Sequence, residues 1–452
     1  METAVVKRRW FGTDGIRGLF GKEPITEQFA ARCGYAAASF FNHTKPEPLF
    51  IVGRDTRDSG PRLEEALVAG LQQAGARVER IGVLPTAAVA AYTCYKKAAA
   101  GVMISASHNP YKDNGIKFFG ADGFKLNDQQ EVAIEQLIEM APAVNFQEGK
   151  GNFYANEEAF YAYKNVLFNS LPAGFSLKGL TIVTDLANGS AWHSTPAILR
   201  ELGSNVVPIH NSPNGKNINE GCGSLHIGDL KACVKETPGS IGLAHDGDAD
   251  RLVLVDETGE VLDGDEILAI VGVDALQQGA LAQQTLVATH MSNLGLDDAI
   301  RQHGGCVVRT DVGDRYVLEE MRRQGYCIGG EQSGHMLFLN YFPTGDGLLT
   351  AIQVFKVMVR AGQPLKQLRQ VMRRYPQWQG NYHVSQKKPF EEIIGLNEIL
   401  STIKNEWSGR VLLRYSGTEN KVRLLVEGPQ KTELPAIAQK ILTPLESIIL
   451  KK

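Results

Sequence analysis

Residues 49–57 read LFIVGRDTR and residues 71–86 read LQQAGARVERIGVLPT. The first piece is an apolar run that ends in charged residues. The second has the end of an amphipathic helix, a glycine and then another apolar run. This order of strand, helix and strand is typical of a βαβ unit, in which the two strands pair in parallel. The stretch therefore predicts an α/β fold in which helices cover a largely parallel sheet.

The same pattern recurs twice further along the chain. It runs from LTIVTDLANGS (180–190) to LRELGSNVVPIHNSPNG (199–215), and from TLVATHMSN (285–293) to IRQHGGCVVRTDVGDR (300–315). Each copy has a glycine where a helix is expected to end, at Gly75, Gly203 and Gly304. Glycine is favoured there because it readily adopts positive φ. Three copies predict three related α/β units with mixed, largely parallel sheets.

A chain of 452 residues is longer than one hydrophobic core requires, so several domains are expected. We predict four domains around a central cleft: residues 1–156, 157–260, 261–374 and 375–452. A helix near 157–169 is predicted to lead into the second domain, and residues 373–389 (RRYPQWQGNYHVSQKKP) are predicted to form a linker. The last domain is a smaller α+β unit, in which the strands GRVLLRY and VRLLVEG precede a final helix.

The composition excludes several classes of protein. The chain is 43% hydrophobic and 21% charged, and its net charge of −3 argues against a nucleic-acid or anionic-membrane partner. No run approaches the roughly 18 apolar residues of a membrane span, and METAVVKRRW lacks the apolar segment of a secretory signal. The six cysteines have no CxxC spacing, which predicts thiols in a reducing cytoplasm rather than a disulfide framework or a zinc motif. We therefore predict a cytoplasmic protein.

A polar loop follows the apolar run GVMI (101–104). The chain breaks into SASHNP and returns through NGIKFF (114–119) to a second apolar run. Asn-Pro and Asn-Gly are frequent turn pairs, so a plain turn explains the break. A functional interpretation makes Ser105 or Ser107 a nucleophile at the carboxyl end of a strand, where open α/β sheets bind ligands. The local sequence leaves both interpretations open.

Three carboxylates alternate in AHDGDADRLVLVD (244–256), at Asp246, Asp248 and Asp250. So dense a negative cluster is unfavourable without a cation, and oxygen-only ligands suit Mg²⁺ or Ca²⁺. An EF-hand would need glycine where Arg251 stands and helices where the flanks predict strands. We favour Mg²⁺ over a calcium loop, with a solvated acidic turn as the plain alternative.

Three further loops carry candidate ligand-binding groups. In IGGEQSGHM (328–336), Glu331 and Ser333 are spaced to take neighbouring sugar hydroxyls, and His335 is a candidate for proton transfer. LLRYSGTENKVR (412–423) offers a tight turn and guanidinium forks to an anion. FGTDGIRG (11–18) presents Arg17. Ordinary loop residues and a common Ser-Gly turn are the alternatives, but together the loops predict phosphoryl-transfer chemistry in one cleft.

FGTDGIRG, ISASHNPYKDNGIKFF, DGDADR, GEQSGH and RYSGTEN occur in this order, and on them the chain resembles the α-D-phosphohexomutase superfamily over essentially its whole length. Gln332, the ISASHNP form and VGDRYV (312–317) are most similar to bacterial members that act on glucosamine phosphates. The resemblance implies an enzyme that interconverts glucosamine 6-phosphate and glucosamine 1-phosphate, a step toward UDP-N-acetylglucosamine. Phosphoglucomutase or phosphomannomutase activity is the alternative within the superfamily.

The resemblance also implies roles for individual residues. Ser107, and not Ser105, carries the phosphoryl group, and Ser107 binds one Mg²⁺ together with the three loop aspartates. Glu331 and Ser333 contact the sugar. The phosphate-binding residues implied are Arg414, Ser416, Gly417 and Thr418, and Arg423 is a further candidate because its guanidinium flanks the same turn.

Two positions depart from the usual motifs. Ala249 stands in DGDADR where glycine is more usual, and coordination is expected to survive because neither residue offers a ligand atom. Asn420 stands where proline commonly follows Ser-Gly-Thr-Glu, and its loss is expected to loosen the phosphate loop.

The resulting hypothesis is a two-step transfer. Phosphorylated Ser107 forms glucosamine 1,6-bisphosphate, which turns end for end before Ser107 takes the other phosphoryl group. Lys117 is the predicted general base, with a pKa lowered by burial beside cations. His108 and His335 are further proton carriers, and Arg17 and Arg251 clamp phosphate.

A hinge near 373–389 is expected to let the last domain close, and a homodimer is compatible with these features. The rivals are a Mg²⁺-dependent phosphatase and a Ca²⁺-binding module.

Overall fold

The computed structural model describes residues 8–43, 46–149, 153–416 and 420–448. Its described strands form four separate sheets, of six, five, four and three strands. Among these residues, no helix combines the length and the apolar character that a membrane span requires.

The first sheet and its helices cover the amino-terminal third of the chain. The strands are β1 (Phe11–Gly12), β2 (Gly15–Leu19), β3 (Leu49–Arg54), β4 (Arg77–Val83), β5 (Ala100–Ile104) and β6 (Asp113–Gly120). The helices are α1 (Glu27–Asn42), α2 (Gly60–Gln73), α3 (Thr86–Tyr95) and α4 (Asp128–Met140). Strand order is β1-β2-β6-β5-β3-β4, with β3 parallel to both β4 and β5 and the remaining pairs antiparallel.

Helix α5 (Glu157–Asn169) confirms the predicted helix that leads into the second unit. The unit contains strands β7 (Thr181–Asp185), β8 (Asn205–Ile209), β9 (Ile241–Ala244), β10 (Val253–Val255) and β11 (Val261–Leu262). Its other helices are α6 (Ser194–Glu201) and α7 (Gly228–Glu236). The sheet order is β11-β10-β9-β7-β8. Strand β11 pairs with β10, so this sheet extends two residues past the predicted boundary at residue 260.

The third unit has strands β12 (Thr285–Thr289), β13 (Cys306–Thr310), β14 (Ile328–Gly330) and β15 (Met336–Phe338), in the order β13-β12-β14-β15. Its helices are α8 (Gly264–Gln277), α9 (Leu294–Gln302), α10 (Asp314–Gln324), α11 (Gly347–Ala361) and α12 (Leu365–Leu368). Asp263 caps α8 and Asp346 caps α11, each accepting hydrogen bonds from backbone N–H groups of the first turn.

The fourth unit has strands β16 (Gln377–His383), β17 (Arg410–Tyr415) and β18 (Lys421–Glu427), with helices α13 (Leu396–Glu406) and α14 (Leu434–Ile448). Its sheet is antiparallel, in the order β16-β18-β17. The linker prediction for residues 373–389 is therefore wrong over β16, which pairs with β18 along its whole length. The segment that joins the end of the third unit to β16 is therefore shorter, at residues 373–376.

The predicted repeat is confirmed at the level of strand order. The first three units share one arrangement of four neighbouring strands, in which three parallel strands are followed by one antiparallel strand. These four strands are β4-β3-β5-β6 in the first unit, β8-β7-β9-β10 in the second and β13-β12-β14-β15 in the third. The three helix-ending glycines all have positive φ, at 86° for Gly75, 95° for Gly203 and 85° for Gly304. Each turn therefore uses the backbone freedom that the sequence spacing predicted.

The hydrophobic core separates the fourth unit from the others. One continuous buried cluster runs from the α3 side of the first sheet through the second and third units. The fourth unit packs a cluster of its own, in which Leu424 and Val426 meet Leu434 and Ile441. The first three units thus form one packed body, to which a separately packed fourth unit is attached.

Candidate active site

Three equivalent loops carry the candidate residues of the first three units. In each unit the loop joins the third parallel strand to the antiparallel fourth: β5 to β6, β9 to β10 and β14 to β15. The first loop holds Ser107, the second holds the three aspartates and the third holds Glu331, Ser333 and His335. Such positions beyond the carboxyl ends of parallel strands are where open α/β sheets bind ligands.

Ser107 lies in the left-handed region, with φ at 53°, and is 1% exposed. Its Oγ donates to Asp246 Oδ2 at 2.5 Å and lies 3.3 Å from His108 Nδ1. Its N–H donates to Ser105 Oγ at 2.9 Å, and Ser105 Oγ donates to Asp55 Oδ2 at 2.6 Å. The hydroxyl of Ser107 therefore faces the aspartate loop of another unit, and that of Ser105 supports the turn.

Two residues that sequence reasoning missed fasten the backbone of this loop. Arg57, fully buried, donates to the carbonyls of Ser107 at 3.0 Å, Asn109 at 2.8 Å and Asp113 at 2.9 Å, and also to that of Pro110. Asp55 Oδ2 holds its guanidinium at 2.8 Å. The only signal in the sequence is a pair of opposite charges directly after the strand LFIVGR, at Asp55 and Arg57.

Asn219, from the second unit, also fixes the serine loop. Its side-chain amide donates to the carbonyls of Ser107 at 2.8 Å and Asn109 at 3.1 Å. The serine loop and the second unit are thus joined by backbone-directed hydrogen bonds as well as by the Ser107–Asp246 contact.

The three aspartates lie together and buried, with carboxylate oxygens within 4.8 Å of one another. Burial and the charges of Asp250 and Asp248 raise the pKa of Asp246 to about 7. Asp248 Oδ1 is buried and accepts no hydrogen bond, and Asp250 Oδ1 has His335 Nδ1 at the longer distance of 3.6 Å. Crowded carboxylates with free oxygens are unfavourable without a cation and suit a hard divalent ion. The residues present therefore fit a magnesium ion.

The backbone of the aspartate loop contains one strained residue. Ala249 has φ at 61°, a conformation in which the more usual glycine would carry no Cβ penalty. Its methyl group is buried against Leu186 and Ala191. The departure from DGDGDR therefore changes the backbone cost of the loop and leaves the three ligand side chains in place.

Lys117, on β6, pairs with carboxylates, although Arg17 and Lys125 are cationic neighbours. Its Nζ lies 2.7 Å from Asp248 Oδ2, 3.0 Å from Asp14 Oδ2 and 3.5 Å from Asp250 Oδ2. Burial alone would lower its pKa, but the three carboxylates outweigh it and raise the pKa above the ordinary lysine value. The expectation of a lowered Lys117 pKa is therefore wrong for this arrangement, because its three paired carboxylates carry the opposite charge.

The two histidines differ in charge. Burial, with Arg251 and Arg17 nearby, lowers the pKa of His108 to about 4. His335 is buried between Asp250 at 3.6 Å and Asp314 at 3.5 Å. Burial opposes protonation of His335, but these two carboxylates raise its pKa to about 9. Near neutral pH, His108 is a neutral acceptor and His335 a cation.

A cavity of about 540 Å³ lies between the loops of the first three units. Its lining residues are Trp10, Gly12, Thr13, Asp14, Gly15, Arg17, His108, Asp250, Arg251, Val312, Gly313, Asp314, Glu331, Ser333 and His335. The structure thus brings together the predicted sugar-contacting pair and the predicted phosphate clamps Arg17 and Arg251. Gln332 does not line it, since its Nε2 donates to Asp265 Oδ2 at 2.9 Å.

A second missed group bridges the first and third units across this cavity. Asp14 pairs with Arg17, with Lys117 and, at 2.5 Å, with Lys125 Nζ. Lys125 also reaches Asp314 Oδ2 at 2.5 Å. The motif FGTDGIRG contains Asp14, but its three cationic partners lie 3, 103 and 111 residues away, which no local pattern reveals.

The phosphate-loop residues that the structure describes, Arg414, Ser416 and Arg423, do not line this cavity. Arg414 and Arg423 face each other across β17 and β18 and border a separate cavity of about 130 Å³. Burial and the neighbouring Arg423 charge lower the pKa of Arg414. Ser416 is buried, and its carbonyl accepts from Lys387 Nζ at 2.6 Å. The predicted residues Gly417 and Thr418 lie outside the described residues.

Comparison with known proteins identifies the class to which this fold and site belong. Models of phosphoglucomutase/phosphomannomutase alpha/beta/alpha domains I, II and III match residues 8–144, 162–259 and 263–375, and the model of the C-terminal domain matches residues 384–443. The chain belongs to the phosphoglucomutase/phosphomannomutase family, which confirms the resemblance.

Individual relatives show which members of this family the chain is similar to. The phosphoglucosamine mutase of Syntrophotalea carbinolica is 47% identical over 448 residues, which cover 98% of each chain. That of Anaeromyxobacter dehalogenans is 46% identical over 455 residues, which cover 98% of this chain and 99% of the relative. A phosphoglucomutase/phosphomannomutase family protein of Burkholderia thailandensis shares the fold, with a TM-score of 0.78 at 22% identity over 96% of this chain and 97% of that one.

Proposed function

We propose that the chain is a phosphoglucosamine mutase, which interconverts glucosamine 6-phosphate and glucosamine 1-phosphate through glucosamine 1,6-bisphosphate. The full-length relatives of that name support this substrate. The observation that carries the proposal is the buried Ser107 hydroxyl, which lies 2.5 Å from Asp246 Oδ2 and 3.3 Å from the Nδ1 atom of His108. Ser107 itself does not line the cavity, but His108 does, together with cationic and hydroxyl-reading side chains.

Ser107 is the proposed phosphoryl carrier. In the first step the bond between Ser107 Oγ and phosphorus breaks and a bond from the free sugar hydroxyl oxygen to phosphorus forms. In the second step, after the bisphosphate has turned, the bond between the other phosphorus and its sugar oxygen breaks and a bond from Ser107 Oγ to that phosphorus forms. Arg57 and Asn219 hold the Ser107 carbonyl in both steps, so the nucleophile keeps its place while the sugar moves.

Asp246, Asp248 and Asp250 are the proposed holders of a magnesium ion, together with the phosphoserine. When bound, the ion supplies charge neutralisation for the transferring phosphoryl group. Arg17 and Arg251 border the cavity from opposite units and are proposed to hold phosphate oxygens there.

Two residues are proposed to act on the protons and charges of the transfer. His108 is neutral, with Nδ1 3.3 Å from Ser107 Oγ, and is proposed to accept the proton of the attacking hydroxyl. The three carboxylates that raise the pKa of Lys117 keep it protonated and hold its proton tightly, so it suits neither a general base nor a general acid. We therefore replace the general-base hypothesis for Lys117 with a role as a fixed positive charge beside the aspartates.

Closure of the fourth unit is proposed to complete the site. Arg414, Ser416 and Arg423 belong to a unit with its own hydrophobic core, outside the main cavity. Rotation about residues 373–376 would bring this unit over the cavity and keep water from the phosphoserine.

The substrate is tested by turnover of glucosamine, glucose and mannose 6-phosphates, each with a trace of its bisphosphate. We expect glucosamine 6-phosphate to give the highest kcat/KM and the product to be the 1-phosphate. A large preference for glucose or mannose would support a phosphoglucomutase or phosphomannomutase instead. Release of free phosphate without isomerisation would indicate a phosphatase, and full activity of Ser107→Ala would contradict phosphoserine chemistry.

A further inference from the structure

A second cluster of metal-ligating side chains lies in the second unit, apart from the aspartate triad. Asp185, His210 and Cys222 each place one ligand atom within 4.8 Å of the other two. We propose that these three side chains bind a divalent transition-metal ion of the zinc class. The proposed site does not require that the chain acts as a mutase.

The fold brings the three ligands together from separate segments. Asp185 is the last residue of β7, and His210 directly follows β8, its parallel neighbour. Cys222 comes from the loop that returns across the same sheet edge and precedes the turn at residues 223–225. Carboxyl ends of adjacent parallel strands lie at one edge of a sheet, so the convergence follows from topology.

The ligand atoms are buried, although part of the imidazole ring that carries one of them is exposed. Asp185 is fully buried and Cys222 is 1% exposed, while the side chain of His210 is 25% exposed. Asp185 Oδ2 lies 3.1 Å from His210 Nδ1. A buried carboxylate needs a positive partner, and a bound ion would supply that charge to Asp185.

Each ligand also has an outer partner that fixes its orientation. Asp185 accepts hydrogen bonds from the N–H groups of Ala187 at 3.0 Å and Gly223 at 2.9 Å. His210 Nε2 lies 3.2 Å from Asp229 Oδ2, which leaves Nδ1 turned toward Asp185 and Cys222. A ligating histidine whose other nitrogen meets a carboxylate, and a ligating carboxylate held by N–H donors, are regular features of protein metal sites.

The donor types separate this cluster from the aspartate triad. One thiol sulfur, one imidazole nitrogen and one carboxylate oxygen suit zinc or a similar borderline-soft ion, whereas three carboxylates suit magnesium. Three protein ligands leave a fourth tetrahedral position for water.

The cluster lies behind the serine loop. Ala187, two residues after Asp185, accepts a hydrogen bond from the N–H of Asn219 at 3.0 Å, and the Asn219 side chain holds the Ser107 carbonyl. Cys222 and Asn219 belong to the same loop, three residues apart. A bound ion would therefore brace the segment that positions the nucleophile, without contacting substrate.

The test uses cobalt, because a thiolate bound to Co²⁺ gives a charge-transfer band that oxygen-only ligands do not give. Full-length protein is stripped with a chelator, dialysed and titrated with Co²⁺, and zinc content is measured separately after incubation with Zn²⁺. We expect a charge-transfer band that saturates at one Co²⁺ per chain and is displaced by Zn²⁺. Cys222→Ser should abolish the band.

Matched variants keep the test decisive. Cys233→Ser changes a partly exposed thiol on α7 of the same unit and should leave the band unchanged. His210→Asn changes a partly exposed residue, so it should fold and lose the band even if Cys222→Ser does not fold. Absence of the band in the wild-type protein would overturn the proposal. It would mean that Asp185 and His210 form an ion pair and that the cluster binds no metal ion. A band that survives both Cys222→Ser and His210→Asn would overturn it as well.

Discussion

Ser105 and Ser107 lie two residues apart, but their hydroxyl groups have different partners. Ser107 Oγ donates across the unit boundary to Asp246, whereas Ser105 Oγ links the Ser107 N–H to Asp55. The loop after β5 thus holds the proposed nucleophile and its support. Strand alternation does not separate them, because both serines follow the end of β5 at Ile104 and both are buried.

We predict that Ser105→Ala lowers activity and stability but leaves Ser107 able to carry phosphate. The change removes the acceptor of a buried N–H, which costs about 1–3 kcal/mol. Ser204→Ala, which removes the hydroxyl that donates to the Leu199 carbonyl far from the site, is the matched control for stability. Denaturant unfolding and steady-state kinetics compare the two. Equal activity losses in both variants would contradict a role for Ser105 in the loop.

His335 predicts a pH dependence of stability in the metal-free protein. Its pKa is raised to about 9 in the folded state, against about 6.5 in an unfolded chain. The folded state therefore binds more protons between these values, so the contribution is full below pH 6.5 and is lost as pH rises to 9. The free energy of unfolding is measured by chemical denaturation at pH 6 and pH 9. We expect its decrease between these pH values to be much smaller in His335→Gln than in the wild-type protein. The opposite slope would contradict the carboxylate pairing.

Residue identities in the loops were predictable, but their surroundings were not. Ser107 and the three aspartates are short-range motifs, whose residue types indicate their chemistry. The prediction of a lowered pKa for Lys117 was wrong although Arg17 is near it, because Asp14 and Asp248, which raise the pKa, lie 103 and 131 positions away in the sequence. Arg57 was missed for the same reason, since its carbonyl partners begin 50 residues downstream.

At the scale of elements, one loop position is used three times. The connections β5–β6, β9–β10 and β14–β15 are equivalent in the shared strand order, and they carry the serine, the aspartates and the proposed sugar-contacting residues. The sequence predicted the repeated βαβ units. It did not reveal this equivalence, because the loops differ in composition while the strand order around them is the same.

The helix-ending glycines give a test of backbone conformation that avoids packing effects. A Cβ at Gly304 would meet no atom within 4 Å, but its φ is 85°. We expect Gly304→Ala to destabilise the protein by about 1–2 kcal/mol, the cost of left-handed backbone for alanine. Gly228 also has open space but no positive φ, so Gly228→Ala is the control and should be neutral or slightly stabilising. Equal effects on the free energy of unfolding would contradict the account.

Strand β16 was mistaken for a linker for a physical reason. It is an edge strand that follows Pro376 and contains Gly380, and both residue types are common in linkers. The burial of its side chains alternates along the strand, since Trp378 and Tyr382 are half-buried while Gln379 and Asn381 are exposed. The sequence shows the same period of two, because the aromatic side chains lie on one side of the strand and the polar ones on the other. Period-two burial is the better indicator than composition in such a short segment.

At the scale of the whole molecule, a small set of polar contacts attaches the fourth unit to the third. Glu427 Oε1 accepts from the Leu294 N–H at 3.1 Å, and Arg410 donates to the Ser292 carbonyl at 2.8 Å. Asn293 exchanges two hydrogen bonds with the backbone of Tyr375, at 3.0 Å and 2.9 Å. These contacts surround residues 373–376, which supports that short segment as the pivot of the fourth unit.

We predict that Glu427→Ala loosens the fourth unit selectively. Glu427 is fully buried and pairs with Arg410 at 2.6 Å, and removing one partner of a buried pair costs about 3–5 kcal/mol. Hydrogen exchange should accelerate in β16–β18 and not in the first three units, because the fourth unit has its own core. Glu427→Gln keeps an acceptor for Leu294 and should have a smaller effect. Uniform loss of protection across all four units would contradict separate packing.

Ser107 is the proposed carrier of the phosphoryl group, opposite the three aspartates. This role is tested by the intact mass of the protein after incubation with glucosamine 1,6-bisphosphate and magnesium, followed by peptide mapping. We predict one phosphoryl group, located on Ser107, present in Ser105→Ala and absent in Ser107→Ala. A phosphoryl group on another residue, or isomerisation by Ser107→Ala without any covalent phosphate, would contradict it.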